Sequence, residues 1–224
     1  MATTTRKRIK YPSSDGKPLA ENTLQFEWIV TVKEGVESVY RQNPLVFVAG
    51  DLLWYPVEGE PRINQAPDTM VVFGRPKRHR PSLYLQWRED DIAPQVTFEI
   101  LSQSNTPKEM RGKLDFYETY GVEEYYEYDP YKVILKGWRR VRTALRRIPN
   151  IDRGWTSPRL NVRFELADTL ILYGPDNRRF LTYQELDLQR IAAEERAAHA
   201  EARAARLQIL LQQHGINPDN GPPK

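Results

Sequence analysis

Cysteine is absent from the 224 residues, which excludes disulfides and any thiolate metal site. Long apolar runs are missing too: none approaches the roughly 20 residues that span a bilayer. The opening Met-Ala-Thr-Thr-Thr-Arg-Lys-Arg has no apolar stretch behind it, so it does not read as a secretory signal. A cytoplasmic protein without a membrane partner is the expectation. Net charge is also scarce. A balance of +3 does not by itself argue for nucleic acid. Hydrophobic residues make up 40% and charged residues 28%, as in ordinary soluble globular proteins. The length suits one well-buried domain plus an appendage.

The distribution of charge says more than its sum. Basic residues gather at positions 6–10, at Arg75-Pro-Lys77-Arg78-His-Arg80, and between 132 and 147, where Arg139, Arg140 and Arg142 fall. Such clusters suit a phosphate backbone, although a solvated surface is the simpler reading of any single one. Acidic residues are prominent at 58–60, 89–91 and 123–129.

Residues 1–20 lack apolar periodicity and read as an arm. Leu24, Trp28, Val32, Val36 and Val39 or Tyr40 recur at helical spacing, and Asn43-Pro44 stops the helix. Strand-like runs follow at 45–49, 51–55 and 69–73, then a long loop over 74–94, basic first and acidic later. A further strand covers 95–101. Thr106, Pro107 and Glu109 mark a helix start, with Gly121 as its left-handed stop. Met110, Leu114 and Tyr117 form the apolar stripe of that helix, and Lys113 lies beside the stripe. Strands are expected at 122–128, 162–166 and 169–172, with a basic hairpin over 133–148. Residues 21–181 thus form one mixed α/β domain. Residues 182–214 change to Ala, Glu, Arg, Gln and Leu, with high helix propensity. Both a dimerising helix or coiled coil and a solvated helix held by charge pairs fit that composition. Residues 215–224 read as a tail.

Two carboxylates stand out against their surroundings. Asp68 follows Pro67 and precedes the apolar run Thr69-Met-Val-Val-Phe73, and Glu99 sits inside Val96-Thr-Phe-Glu-Ile-Leu101. A buried lone carboxylate is costly, so a charge inside a core strand needs a partner. Two carboxylates on neighbouring strands, with the Ile100 backbone carbonyl beside them, make a suitable oxygen set for Mg²⁺ or Mn²⁺. A lysine that orients the attacking water would complete a phosphodiester-hydrolysing site. The position two residues after the glutamate, on the same strand face, holds Leu101. Lys113, one helix downstream, is the candidate in its place.

The runs APDTMVVFGRPKRHRPSLYLQW and APQVTFEILSQSNTPKEMRGKLDFYETYGVEEYYEYDP closely resemble the Uma family of restriction-endonuclease-like proteins, within the PD-(D/E)XK nuclease superfamily. The resemblance covers about residues 15–185. It implies a curved, mostly four-stranded central sheet flanked by helices, with extra β-hairpins. It also implies metal-dependent DNA cleavage, with the acidic pair on Asp68 and Glu99 and the displaced lysine on Lys113. An acid on the first helix, which many superfamily members use, has Glu21, Glu27, Glu34 and Glu37 as candidates. Nucleic-acid contacts are expected at Arg75, Lys77, Arg78, Arg80, Arg139, Arg140 and Arg142, and a homodimer through the C-terminal helix is compatible with the sequence. A catalytically silent nucleic-acid-binding or assembly module on the same fold is the alternative, and a scaffold that recruits a partner through residues 182–214 is a third.

Overall fold

A computed structural model describes residues 9–14, 16, 18–78 and 83–214. It divides into two compact units, Met1–Phe180 and Leu181–Lys224.

The first unit is mixed α/β. Helix α1 (Thr23–Val39) starts at Asn22, whose Oδ1 accepts the Gln25 N–H at 2.9 Å. The side chain thereby satisfies one of the otherwise orphaned amides of the first turn. Strands β1 (Val46–Ala49), β3 (Thr69–Phe73), β5 (Val96–Ile100), β6 (Glu124–Asp129), β7 (Ile134–Val141) and β8 (Ala144–Arg147) form one six-stranded sheet in the order β1-β3-β5-β6-β7-β8. Within this sheet β5 and β6 run parallel and the other described pairs antiparallel. Helix α2 (Pro107–Thr119) makes the crossover between β5 and β6 that a parallel pair requires. The sheet is thus wider than the four strands implied by the resemblance, because the basic hairpin β7–β8 continues it.

Strand alternation divides the apolar residues between the two sheet faces. Ile29, Val32 and Val36 of α1 pack with Val46, Val48, Val71, Phe98 and Tyr126. On the other face Tyr117 of α2 packs with Phe47, Met70, Val72, Tyr125 and Leu145. A small sheet of β9 (Trp155–Thr156), β10 (Arg163–Leu166) and β11 (Leu170–Tyr173) adds Phe164, Leu170 and Leu172 to the α1 side. Gly137 on β7 is required by a close approach: a Cβ there would lie 2.5 Å from Ile151 Cδ1.

Thr106 Oγ1 accepts the Glu109 N–H at 3.2 Å, and Pro107 occupies the first turn, where its missing N–H costs nothing. Gly121 takes the left-handed φ of +97° just beyond the helix, which only glycine adopts freely.

The segment expected as a long loop over 74–94 contains structure. Strand β4 (Leu83–Leu85) pairs in parallel with β2 (Leu53–Tyr55), and a 3-10 turn follows at Gln86–Arg88. Its basic start folds back on its acidic end. Arg75 Nε lies 2.9 Å from Glu89, Arg75 also meets Asp90, and Arg78 lies 3.5 Å from Glu89. The described part of the N-terminal arm is docked: the Tyr11 ring meets Tyr55 and Trp87, and its hydroxyl accepts the Gly59 N–H.

The second unit is helix α3 (Tyr183–Gln213), opened by a reciprocal capping box between Thr182 and Glu185. No α3 residue is buried, and Arg190 pairs with Asp187 and Glu194 along the helix surface. Among the described residues no helix is long and apolar enough to cross a membrane.

Candidate active site

Strand β5 carries Glu99 on the face that α2 covers, 2% exposed. Lys113, one turn before Tyr117 on α2, places Nζ 2.6 Å from Glu99 Oε2, and the Tyr117 hydroxyl donates to Oε1. Helical spacing puts both donors over the same strand residue. Asp68 stands immediately before β3. Its Oδ2 accepts the Ile100 N–H at 2.6 Å. In a parallel strand the N–H and C=O of one residue point to the same side, and the adjoining β3 begins only at Thr69. The Ile100 amide therefore meets the aspartate side chain where a strand partner would otherwise stand. Asp68, Glu99 and Lys113 thus belong to one electrostatic group.

Asp68 retains some surface as a residue, whereas its carboxyl group is desolvated. Burial, followed by repulsion from Glu99, holds its pKa well above the usual carboxylate range, against the pull of Lys113 and the Ile100 amide. Burial raises Glu99 as well, opposed by Lys113 and Tyr117. For Lys113, burial acts downward, but Glu99 and Asp68 outweigh it and the net shift is upward. Burial and the neighbouring Glu99 push the Tyr117 hydroxyl far up, so it stays a donor.

The Ile100 carbonyl accepts Gln25 Nε2 at 2.8 Å, and a carbonyl oxygen has a second lone pair. The acids expected at the first helix are placed differently: Glu21 precedes α1, and Glu27 is exposed on it. Glu21 accepts from the Ser104 hydroxyl, and Glu34 and Glu37 pair with Lys33. Gln25, not an acid, is hydrogen-bonded from α1 to the end of β5. Among the described residues, no third acid, imidazole or thiol joins the pair in a metal-holding group.

Two further buried glutamates lie on β6. Glu127 stands opposite Glu99 in register and accepts from Tyr125 at 2.9 Å and Lys136 at 3.2 Å. Glu124, on the other face, is held by Tyr126, Ser157 and the Arg159 amide. The reasoning that singles out Glu99, a charge inside an aromatic strand, applies equally to both.

Those of the expected nucleic-acid contacts that are described separate into three groups. Arg75 and Arg78 are engaged with Glu89. Arg140 donates to the carbonyls of Tyr117, Glu118, Val122 and Thr143, which makes it an internal clamp on the end of α2. Arg139 and Arg142 are exposed on the hairpin and Lys77 is half-buried. Arg80 lies outside the described residues.

Residues 9–168 match the family model described as "Uma2: Putative restriction endonuclease". The chain belongs to the Uma2 family. Among solved structures, one described as a "putative nuclease belonging to DUF820" from Anabaena variabilis is similar at 15% identity and a TM-score of 0.48, over 65% of this chain and 77% of that one. No curated protein matches.

Proposed function

We propose that this Uma2 member is a metal-dependent DNA endonuclease. The observation that carries the reading is the meeting of Lys113 and Glu99 at 2.6 Å beside Asp68, three groups far apart in the chain. Mg²⁺ or Mn²⁺ suits the donor set. Asp68 and Glu99 are hard oxygen ligands, and burial together with a Glu99 repulsion that a single ammonium does not cancel raises the pKa of the Asp68 carboxyl. These carboxylates and the Ile100 carbonyl would hold the ion, which lowers the pKa of bound water and neutralises phosphate oxygens. Lys113 then supplies positive charge where the phosphate becomes more negative. Tyr117 fixes the rotamer of Glu99, and Gln25 fixes the Ile100 carbonyl. Exposed Arg139 and Arg142 on the hairpin contribute backbone contacts.

The test is supercoiled plasmid incubated with protein and Mg²⁺ or Mn²⁺, beside Asp68→Asn and Glu99→Gln. Either substitution should lower nicking on the order of a hundredfold or more, comparable to losing one preorganised electrostatic contact. Equal nicking by all three proteins rejects the assignment.

One observation favours a second reading, a silent nucleic-acid-binding module: Lys113 and Tyr117 already occupy both Glu99 oxygens. DNA binding that falls steeply with salt, unaffected by chelator and unaccompanied by nicking, is its signature.

A further inference from the structure

On the opposite flank of α2 from Lys113, a groove of about 600 Å³ opens between that helix and the β6–β7–β8 surface. Leu101, two residues beyond Glu99, lines it, and so does Glu127, the register neighbour of Glu99. The groove therefore shares one end of the sheet with the carboxylate pair. Its acids are already neutralised: Lys136 lies 3.2 Å from Glu127 and Lys132 lies 3.2 Å from Asp129. That leaves Arg111 and Arg147 as surplus cations, neither with a carboxylate partner among the described residues. Trp138 lines the groove with them. One face of its ring stacks on Tyr125 with centroids 5.0 Å apart, and the Arg147 guanidinium covers the other at 5.0 Å.

An exposed guanidinium lying on an indole face is a replaceable cover, because a nucleobase stacks on the same surface. The volume falls in the range of small-molecule pockets, which suits a short unstacked segment and not a duplex. We propose that this groove seats an unpaired strand of DNA, with a base on Trp138 and phosphates against Arg111 and Arg147. The substrate class is then DNA with a single-stranded stretch next to the cleaved bond. This deepens the endonuclease reading and rests on it for the identity of the ligand.

The test uses the full chain carrying Asp68→Asn, which is not expected to cut. Fluorescence anisotropy compares a short labelled single strand with its own duplex over a salt series. The single strand is expected to bind about tenfold or more tightly, the value of one stacked base. Arg111→Glu with Arg147→Glu, both surface changes, should weaken single-strand binding at least about tenfold. The double change should also reduce the salt slope by roughly 1.4, from two phosphate contacts on a single strand. Trp138→Ala should lose a similar factor and Trp138→Phe much less, with circular dichroism confirming the fold. Equal affinity for both DNA forms, or an unchanged affinity and slope in the arginine double variant, overturns the groove assignment while leaving the endonuclease reading intact. Absence of DNA binding by the parent protein overturns both.

Discussion

Gln25 Nε2 donates to the carbonyl of Ile100 at 2.8 Å, joining residues 75 positions apart. The same side chain accepts the Glu21 N–H through Oε1 at 2.9 Å, so one buried amide secures both the start of α1 and the end of β5. Gln25→Ala strands a buried carbonyl and should cost about 1–3 kcal/mol. Urea titration reads this as a lower midpoint at unchanged slope. A midpoint equal to the parent's contradicts the role.

Asp68→Asn should stabilise the fold while removing cleavage. The amide oxygen can still accept the Ile100 N–H, and the repulsion from Glu99 disappears. A gain on the order of 1 kcal/mol corresponds to roughly 2–4 °C for a chain of this size. A melting temperature below the parent's at neutral pH would count against the geometry.

The same carboxyl sets a pH dependence. Its folded pKa is raised above the unfolded value near 4. Between those values the folded chain keeps a proton that the unfolded chain has released. The stabilisation is therefore full below about pH 4 and is lost as pH rises through the folded value. Denaturation midpoints collected upward from pH 4 should decline for the parent and decline less for Asp68→Asn. Parallel curves would refute this.

Lys113→Met and Lys136→Met should differ. Each removes the cation from a buried glutamate, but the Lys113 side chain is 14% exposed and that of Lys136 is 39%. Breaking a buried pair leaves an uncompensated charge and costs about 3–5 kcal/mol, whereas solvent screens the more open pair. Chemical denaturation should rank Lys113→Met as clearly the less stable. The reverse order would be inconsistent with the observed burial.

Gly137→Ala should destabilise by roughly 1–3 kcal/mol through overpacking, because the added methyl meets Ile151, Ile148 and Tyr126 together. Calorimetry showing no loss would mean that this corner relaxes freely.

Much of the site is legible in the chain because it follows local rules. Thr106-Pro107 announces α2, and a charge inside an apolar strand announces Glu99. Less legible are features decided by a distant partner. Strand β4 has three residues and gains its identity only by pairing with β2. Gln25 resembles any polar residue on an amphipathic helix until Ile100 is seen beside it. Arg139 and Arg140 are adjacent in sequence and alike in chemistry, yet strand alternation sends one outward and the other onto four carbonyls. Composition counts both as basic surface.

That clamp makes the hairpin and α2 mechanically one piece. Arg140 grips the helix at its C-terminal carbonyls, and Glu118 returns the hold through the Leu145 N–H at 2.6 Å. The turn of α2 just beyond Lys113 is thus bound to the hairpin from both sides, by Arg140 on its carbonyls and by Glu118 on the Leu145 N–H.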